Sequence, residues 1–104
     1  MPRTIRKFWG PVSGRVTFNF NWDAIDHDSV VLISASEYVV TPNPANEYRF
    51  IGAATISVSN VTPHGPPYDP NHGVTFVVNV NWDSSLYVAT DITVLDDKPV
   101  WIGS

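Results

Sequence analysis

Residues Arg15 to Trp22 read R-V-T-F-N-F-N-W, so that Val16, Phe18, Phe20 and Trp22 fall on one side of an extended chain and Thr17, Asn19 and Asn21 on the other. Strict alternation of this kind conflicts with the 3.6-residue period of a helix and defines a strand with one dry face and one wet face. Val74 to Trp82 alternates in the same way. The two segments also echo each other, because Phe18-Asn19-Phe20-Asn21-Trp22-Asp23 matches Val78-Asn79-Val80-Asn81-Trp82-Asp83 sixty residues later. The flanks do not match, so the echo reads as two strands of one design, placed as neighbours, rather than as a duplication.

Further strands are expected between turn signals. Ser29 to Val40 is an apolar run that suits a strand buried on both faces. Tyr48 to Thr62 reads as one long strand bent at Gly52, and Leu86 to Leu95 comes after a tight turn at Asp83-Ser84-Ser85. Thr4–Trp9 and Val100–Ile102 are candidate edge strands. Thr41-Pro42-Asn43-Pro44, the Pro63–Gly73 loop and Asp96-Asp97-Lys98-Pro99 supply the breaks. The expected fold is all-β, an antiparallel two-sheet β-sandwich of six to seven strands, with residues 1–104 as one domain and residues 1–14 as a basic N-terminal arm or edge strand. With 43% hydrophobic and 15% charged residues the chain is too apolar to be disordered, and four Trp, five Phe and four Tyr give its core bulk. It has no cysteine, which removes disulfides, thiol chemistry and zinc–thiolate sites.

Charge is unevenly spread. Arg3, Arg6, Lys7 and Arg15 all precede the first acidic residue, Asp23, and the remainder sets ten carboxylates against Arg49 and Lys98. Nucleic-acid binding needs a broad basic face, so it is not expected; the arm is expected to lie against an acidic surface of its own domain or a neighbour. No apolar run approaches 18 residues and no apolar h-region succeeds the basic start. Neither membrane insertion nor an intact signal peptide is therefore expected.

Few residues suggest chemistry. Asp23, Asp26 and Asp28 are candidate Ca²⁺ ligands, although the EF-hand spacing is missing and a solvated turn reads the same; no cofactor is otherwise expected. The long loop carries His64, Tyr68, Asp69 and His72 as binding candidates, and His64, Asp69 and His72 as a set that a metal-dependent enzyme would need. No nucleophile elbow or glycine-framed serine is present, and Asp96-Asp97 suits turn capping, so the chain is read as non-enzymatic. Trp82, Asp83 and Tyr87 combine an aromatic face, a carboxylate and a phenol near a strand end. That set suits a neutral sugar, whose C–H patches stack on rings while its hydroxyls find polar partners. A core role for Trp82 is the competing reading, since it falls on the apolar face of its strand. Asn60-Val61-Thr62 is an N-glycosylation sequon.

Arg15-Val-Thr-Phe, Val30-Val-Leu-Ile-Ser34, Arg49 with Ile56-Ser-Val-Ser-Asn-Val-Thr-Pro-His-Gly65, Val77–Trp82 and Leu86-Tyr87 run in an order that resembles the H-type lectins, the snail agglutinin and discoidin C-terminal type of domain. The resemblance spans roughly residues 15–95, with Asn-Val-Thr-Pro-x-Gly and the Trp-to-Tyr segment as its most specific pieces. It implies a six-stranded sandwich assembling as a trimer or hexamer, with glycans of the galactose or N-acetylgalactosamine type as partners. By motif it implies Trp82, Asp83 and Tyr87 as sugar-facing residues and Arg49 as a guanidinium donor. A secreted or extracellular setting fits this better than a cytoplasmic one. The alternative is a structural or assembly module, a fibre, capsid or appendage piece, that keeps the trimeric scaffold without a sugar.

Overall fold

The computed structural model describes residues 1–103. The alternating segment forms β2 (Gly14–Asn21), and the second one forms its antiparallel neighbour β6 (Gly73–Asn81), with Val16 opposite Val78 and Phe18 opposite Phe76. β5 (Thr55–His64) pairs with the other side of β6 to complete a three-stranded sheet. Facing it is a four-stranded sheet in the spatial order β1 (Arg3–Val12), β7 (Leu86–Val94), β3 (Val31–Val39) and β4 (Tyr48–Phe50). All pairings are antiparallel.

The core between the sheets comes from alternate residues of the central strands. Val74, Phe76, Val78 and Val80 of β6 meet Val88, Ile92 and Val94 of β7, with Ile25 closing one end. Trp9 lies near-parallel to Phe18 with ring centroids 4.3 Å apart, and it meets Phe76 edge-on at 6.0 Å. Its indole Nε1 donates to Thr90 Oγ1 at 2.8 Å, which gives a fully buried hydroxyl on β7 its partner.

A bulge sets the facing of β1. Phe8 is in register with Ala89 and Gly10 with Val88, so Trp9 is the surplus residue, and Gly10 comes next at φ +84°, where a side chain would strain the backbone. One extra residue inverts the parity of the rest of the strand. Val12 therefore points into the core instead of out of it.

The structure departs from the sequence reading in four places. The Ser29–Val40 run is not buried on both faces: Leu32 and Ser34 stand on the outer surface and the strand alternates. Tyr48–Thr62 is not one bent strand but two, β4 and β5, in opposite sheets, with Ile51–Ala54 crossing between them at Gly52. Val100–Ile102 pairs with nothing among the described residues and is exposed. Finally, β5 runs on to His64, which shortens the loop to residues 65–72. The basic arm is the edge strand β1, paired along its length with β7.

Phe76 touches both the Trp9 ring and the valine layer, so its loss leaves a cavity under the stack. Phe76→Ala is expected to destabilise the fold by about 3–5 kcal/mol, measured by urea unfolding.

Candidate functional site

Register places the outer face of the four-stranded sheet. Alternate residues Thr4, Arg6 and Phe8 of β1, Tyr87, Ala89, Asp91 and Thr93 of β7, and Leu32, Ser34, Ser36 and Tyr38 of β3 share it, and Arg49 of β4 joins opposite Tyr38. Two of the residues singled out by sequence, Arg49 and Tyr87, therefore lie on one surface. Tyr38 stands between them: it is in register with Arg49, and its ring packs edge-on against Tyr87 at 5.7 Å and against Phe8 at 4.8 Å. Tyr38 is nearly covered, and burial, aided by the charge of Glu47, pushes its phenol upward. Tyr87 remains 47% exposed, an accessible aromatic surface backed by a fixed ring.

Asp91 is the hub of the polar half of this face. Arg6 grips it with two hydrogen bonds, Nε to Oδ1 at 2.7 Å and Nη2 to Oδ2 at 2.9 Å, the forked geometry that guanidinium and carboxylate share. From the other side Arg49 Nη1 reaches Asp91 Oδ2 at 2.8 Å. Arg49 also donates from Nε to Ser36 Oγ at 2.6 Å and from Nη1 to Ser34 Oγ at 3.1 Å. Its Nη2 has no protein partner among the described residues. Two guanidiniums around one carboxylate leave a local positive charge on a chain whose net charge is −4. Beside the hub, Thr4, Thr93, Leu32 and Ser34 rim a shallow depression of about 360 Å³, and the Thr4 and Thr93 hydroxyls bond each other at 2.8 Å. Hydroxyls, guanidinium and an exposed phenol ring thus stand on one rigid surface, able to bond a polyol and to stack against its C–H face.

The remaining candidates lie elsewhere. Trp82 and Asp83 come after β6 on the connection that crosses to β7; both are exposed, Trp82 at 47%, and Trp82 makes no aromatic pair among the described residues. The competing reading of Trp82 as a core residue is not what the structure has. The chain leaves β6 at Asn81, so the ring falls beyond the last pair of the sheet.

His64, Tyr68, Asp69 and His72 gather at the opposite end of the sandwich with Asp26 and Asp28. His64 Nδ1 bonds the Asn71 carbonyl at 2.7 Å, His72 Nδ1 bonds the Ile25 carbonyl at 2.8 Å, and Tyr68 packs against His27 at 5.0 Å. These contacts fold the loop onto the β2–β3 turn. Lys98 Nζ takes Asp26 at 3.0 Å and Asp28 at 2.8 Å, and the lysine hydrogen bond holds Asp28 below the usual carboxylate range. Among the described residues no three His, Asp or Glu side chains converge as metal ligands, and Asp23 stands apart from the lysine bridge.

Sequence reasoning missed Asp91, Arg6, Ser34, Ser36 and Tyr38. A signal existed: Asp91 interrupts V-A-T-D-I-T-V, and a carboxylate at an outward position of a central strand needs cationic neighbours. No family model, curated protein or solved structure matches the chain.

The Arg6 hydrogen bonds hold Asp91 below the usual carboxylate range, against the push of burial and with help from the charge of Arg49. A depressed value means that the stabilisation is complete above the unfolded carboxylate value near about pH 4 and disappears as pH falls through the lower folded value. Asp91→Asn is expected to cost about 1–2 kcal/mol at neutral pH, at the lower end for charged hydrogen bonds because Arg6 is half exposed. In urea melts the variant should also lose less stability than the parent on acidification. Parallel acid limbs would show that the hub does not hold the sheet.

Proposed function

We propose that this chain is a non-enzymatic carbohydrate-binding module for galactose-type sugars, N-acetylgalactosamine among them, with its sugar on the outer face of the four-stranded sheet. The observation that carries this reading is the meeting of Arg49 and Tyr87 around Tyr38, with the Asp91 hub and the Ser34, Ser36 and Thr93 hydroxyls alongside. Tyr87 offers a ring face to the apolar side of the pyranose. Arg49 is already oriented by Ser34, Ser36 and Asp91, so binding spends little side-chain entropy on it, and Nη2 remains to donate to a sugar hydroxyl. In this reading Trp82 and Asp83 belong to the margin of the site, five and four residues before Tyr87 on the connection that leads into β7.

Single sites of this shallow kind bind weakly, and a trimer or hexamer in a secreted or extracellular setting would raise avidity by presenting several at once. Specific binding should appear as saturable chemical-shift changes on adding N-acetylgalactosamine to labelled protein. Tyr87→Ala and Arg49→Lys should each weaken binding tenfold or more, the latter because a lysine keeps the charge but loses the fork. Loss of binding in Trp82→Ala with full retention in Tyr87→Ala would move the site to the end of the sandwich. Absence of any glycan response would favour the structural or assembly module instead.

A further inference from the structure

The two sheets are unequal, and the inequality leaves a gap. β4 has no counterpart in the three-stranded sheet, so between β4 and the Ile51–Ala54 crossing the sandwich opens into a cleft of about 630 Å³. Phe50, Ile51, Ala53, Ala54 and Ile56 give it apolar walls, and Ser36, Arg49 and Thr55 contribute polar groups beside them. Ile51 is 97% exposed at the rim. Glu37 enters the same cleft from the inner side of β3 and packs over Gly52, where a Cβ would run into its carboxylate. That carboxylate has no hydrogen-bond or ion-pair partner among the described residues. The site therefore combines a trough with apolar walls and a polar margin, an edge strand with an unpaired side and one unanswered carboxylate.

The same chain carries a segment of matching character. Pro99–Gly103 runs free of both sheets, and Val100, Trp101 and Ile102 are more than four-fifths exposed, Trp101 at 81%. An indole has a large apolar body and one N–H donor, which suits a trough with apolar walls and a free carboxylate. The backbone of the segment stops short of its own cleft. Lys98 is tied to Asp26 and Asp28 at the end of the sandwich where β3 begins, whereas Glu37 lies six positions further along β3 than Val31, about 20 Å away at 3.3 Å per residue. Trp101, three residues beyond Lys98, reaches only about 10 Å.

We propose that residues 99–102 of one copy dock in the β4 cleft of a second copy, Val100–Ile102 lying as an added strand beside β4 and the Trp101 indole N–H donating to Glu37. The contact is heterologous, because donor and acceptor surfaces are different parts of one chain, so repetition closes a ring or extends a filament. The cleft borders the proposed sugar face at Ser36 and Arg49, whereas Ile51 and Trp101 take no part in the sugar reading and so test the docking alone.

Sedimentation of three proteins tests it. The unaltered chain should gain mass with concentration. Trp101→Ala, with an intact cleft but no side chain to fill it, and Ile51→Asp, with an intact segment but a charged rim, should each lose that gain; neither side chain belongs to the core, so both variants fold. Mixed in equal amounts, the two variants should form a dimer and stop there, since one good segment meets one good cleft and nothing remains to propagate. An unaltered chain that stays monomeric, or self-association that survives Trp101→Ala, would overturn the proposal.

Discussion

Trp9 is the surplus residue of the β1 bulge, and its ring joins the two sheets. It stacks on Phe18 from the three-stranded sheet, touches Phe76 on the central strand of that sheet, and hydrogen-bonds Thr90 on the central strand of its own. Without the extra residue the parity of β1 after Phe8 would reverse, sending Val12 to solvent and Pro11 into the core. Lys7 completes the arrangement: in register with inward-facing Thr90, it lays its ammonium over the Trp9 ring, 5.3 Å from the centroid. An inward-pointing lysine on an edge strand also discourages pairing with stray chains. Packing of the core and protection of the edge thus come from adjacent residues.

The outer face inherits its order from the same register. Because Phe8 precedes the bulge, it stays outward beside Tyr38, while Arg6 two positions earlier meets Asp91. Asp91 then spans the sheet laterally, since its two guanidinium partners belong to β1 and β4, the two edges, with β7 and β3 between them. A single carboxylate at the centre ties down both flanks. Arg49 is consequently held by groups from β3 and β7 at once, which is the preorganisation a binding surface requires.

Local alternation made β2 and β6 legible from sequence, because each alternates an inward set with an outward one and the periodicity needs no knowledge of partners, and the turn at Asp83-Ser84-Ser85 marked the start of β7. β1 was only half legible: the expected edge strand stops at Trp9, yet the bulge carries it through Gly10 and Pro11 to Val12. The division of Tyr48–Thr62 was hidden for a related reason. Ile51 to Thr55 is apolar or small throughout, and nothing in that composition distinguishes a bent strand from a crossing between sheets. At the site, Arg49 and Tyr87 were visible as residue types, whereas their partners were not. Arg6 and Asp91 are 85 positions apart, and only the pairing of β1 with β7 brings them together.

That pairing has a consequence for biosynthesis. Arg3 is in register with Val94, so β1, the first of these strands to be synthesised, has as its one sheet partner among the described residues β7, the last of them. Until then the ladder groups of β1 and the Trp9 ring find no permanent place, and closing so large a loop is entropically slow. The four-stranded sheet is thus completed in one late step, after the three-stranded sheet already has every strand it needs.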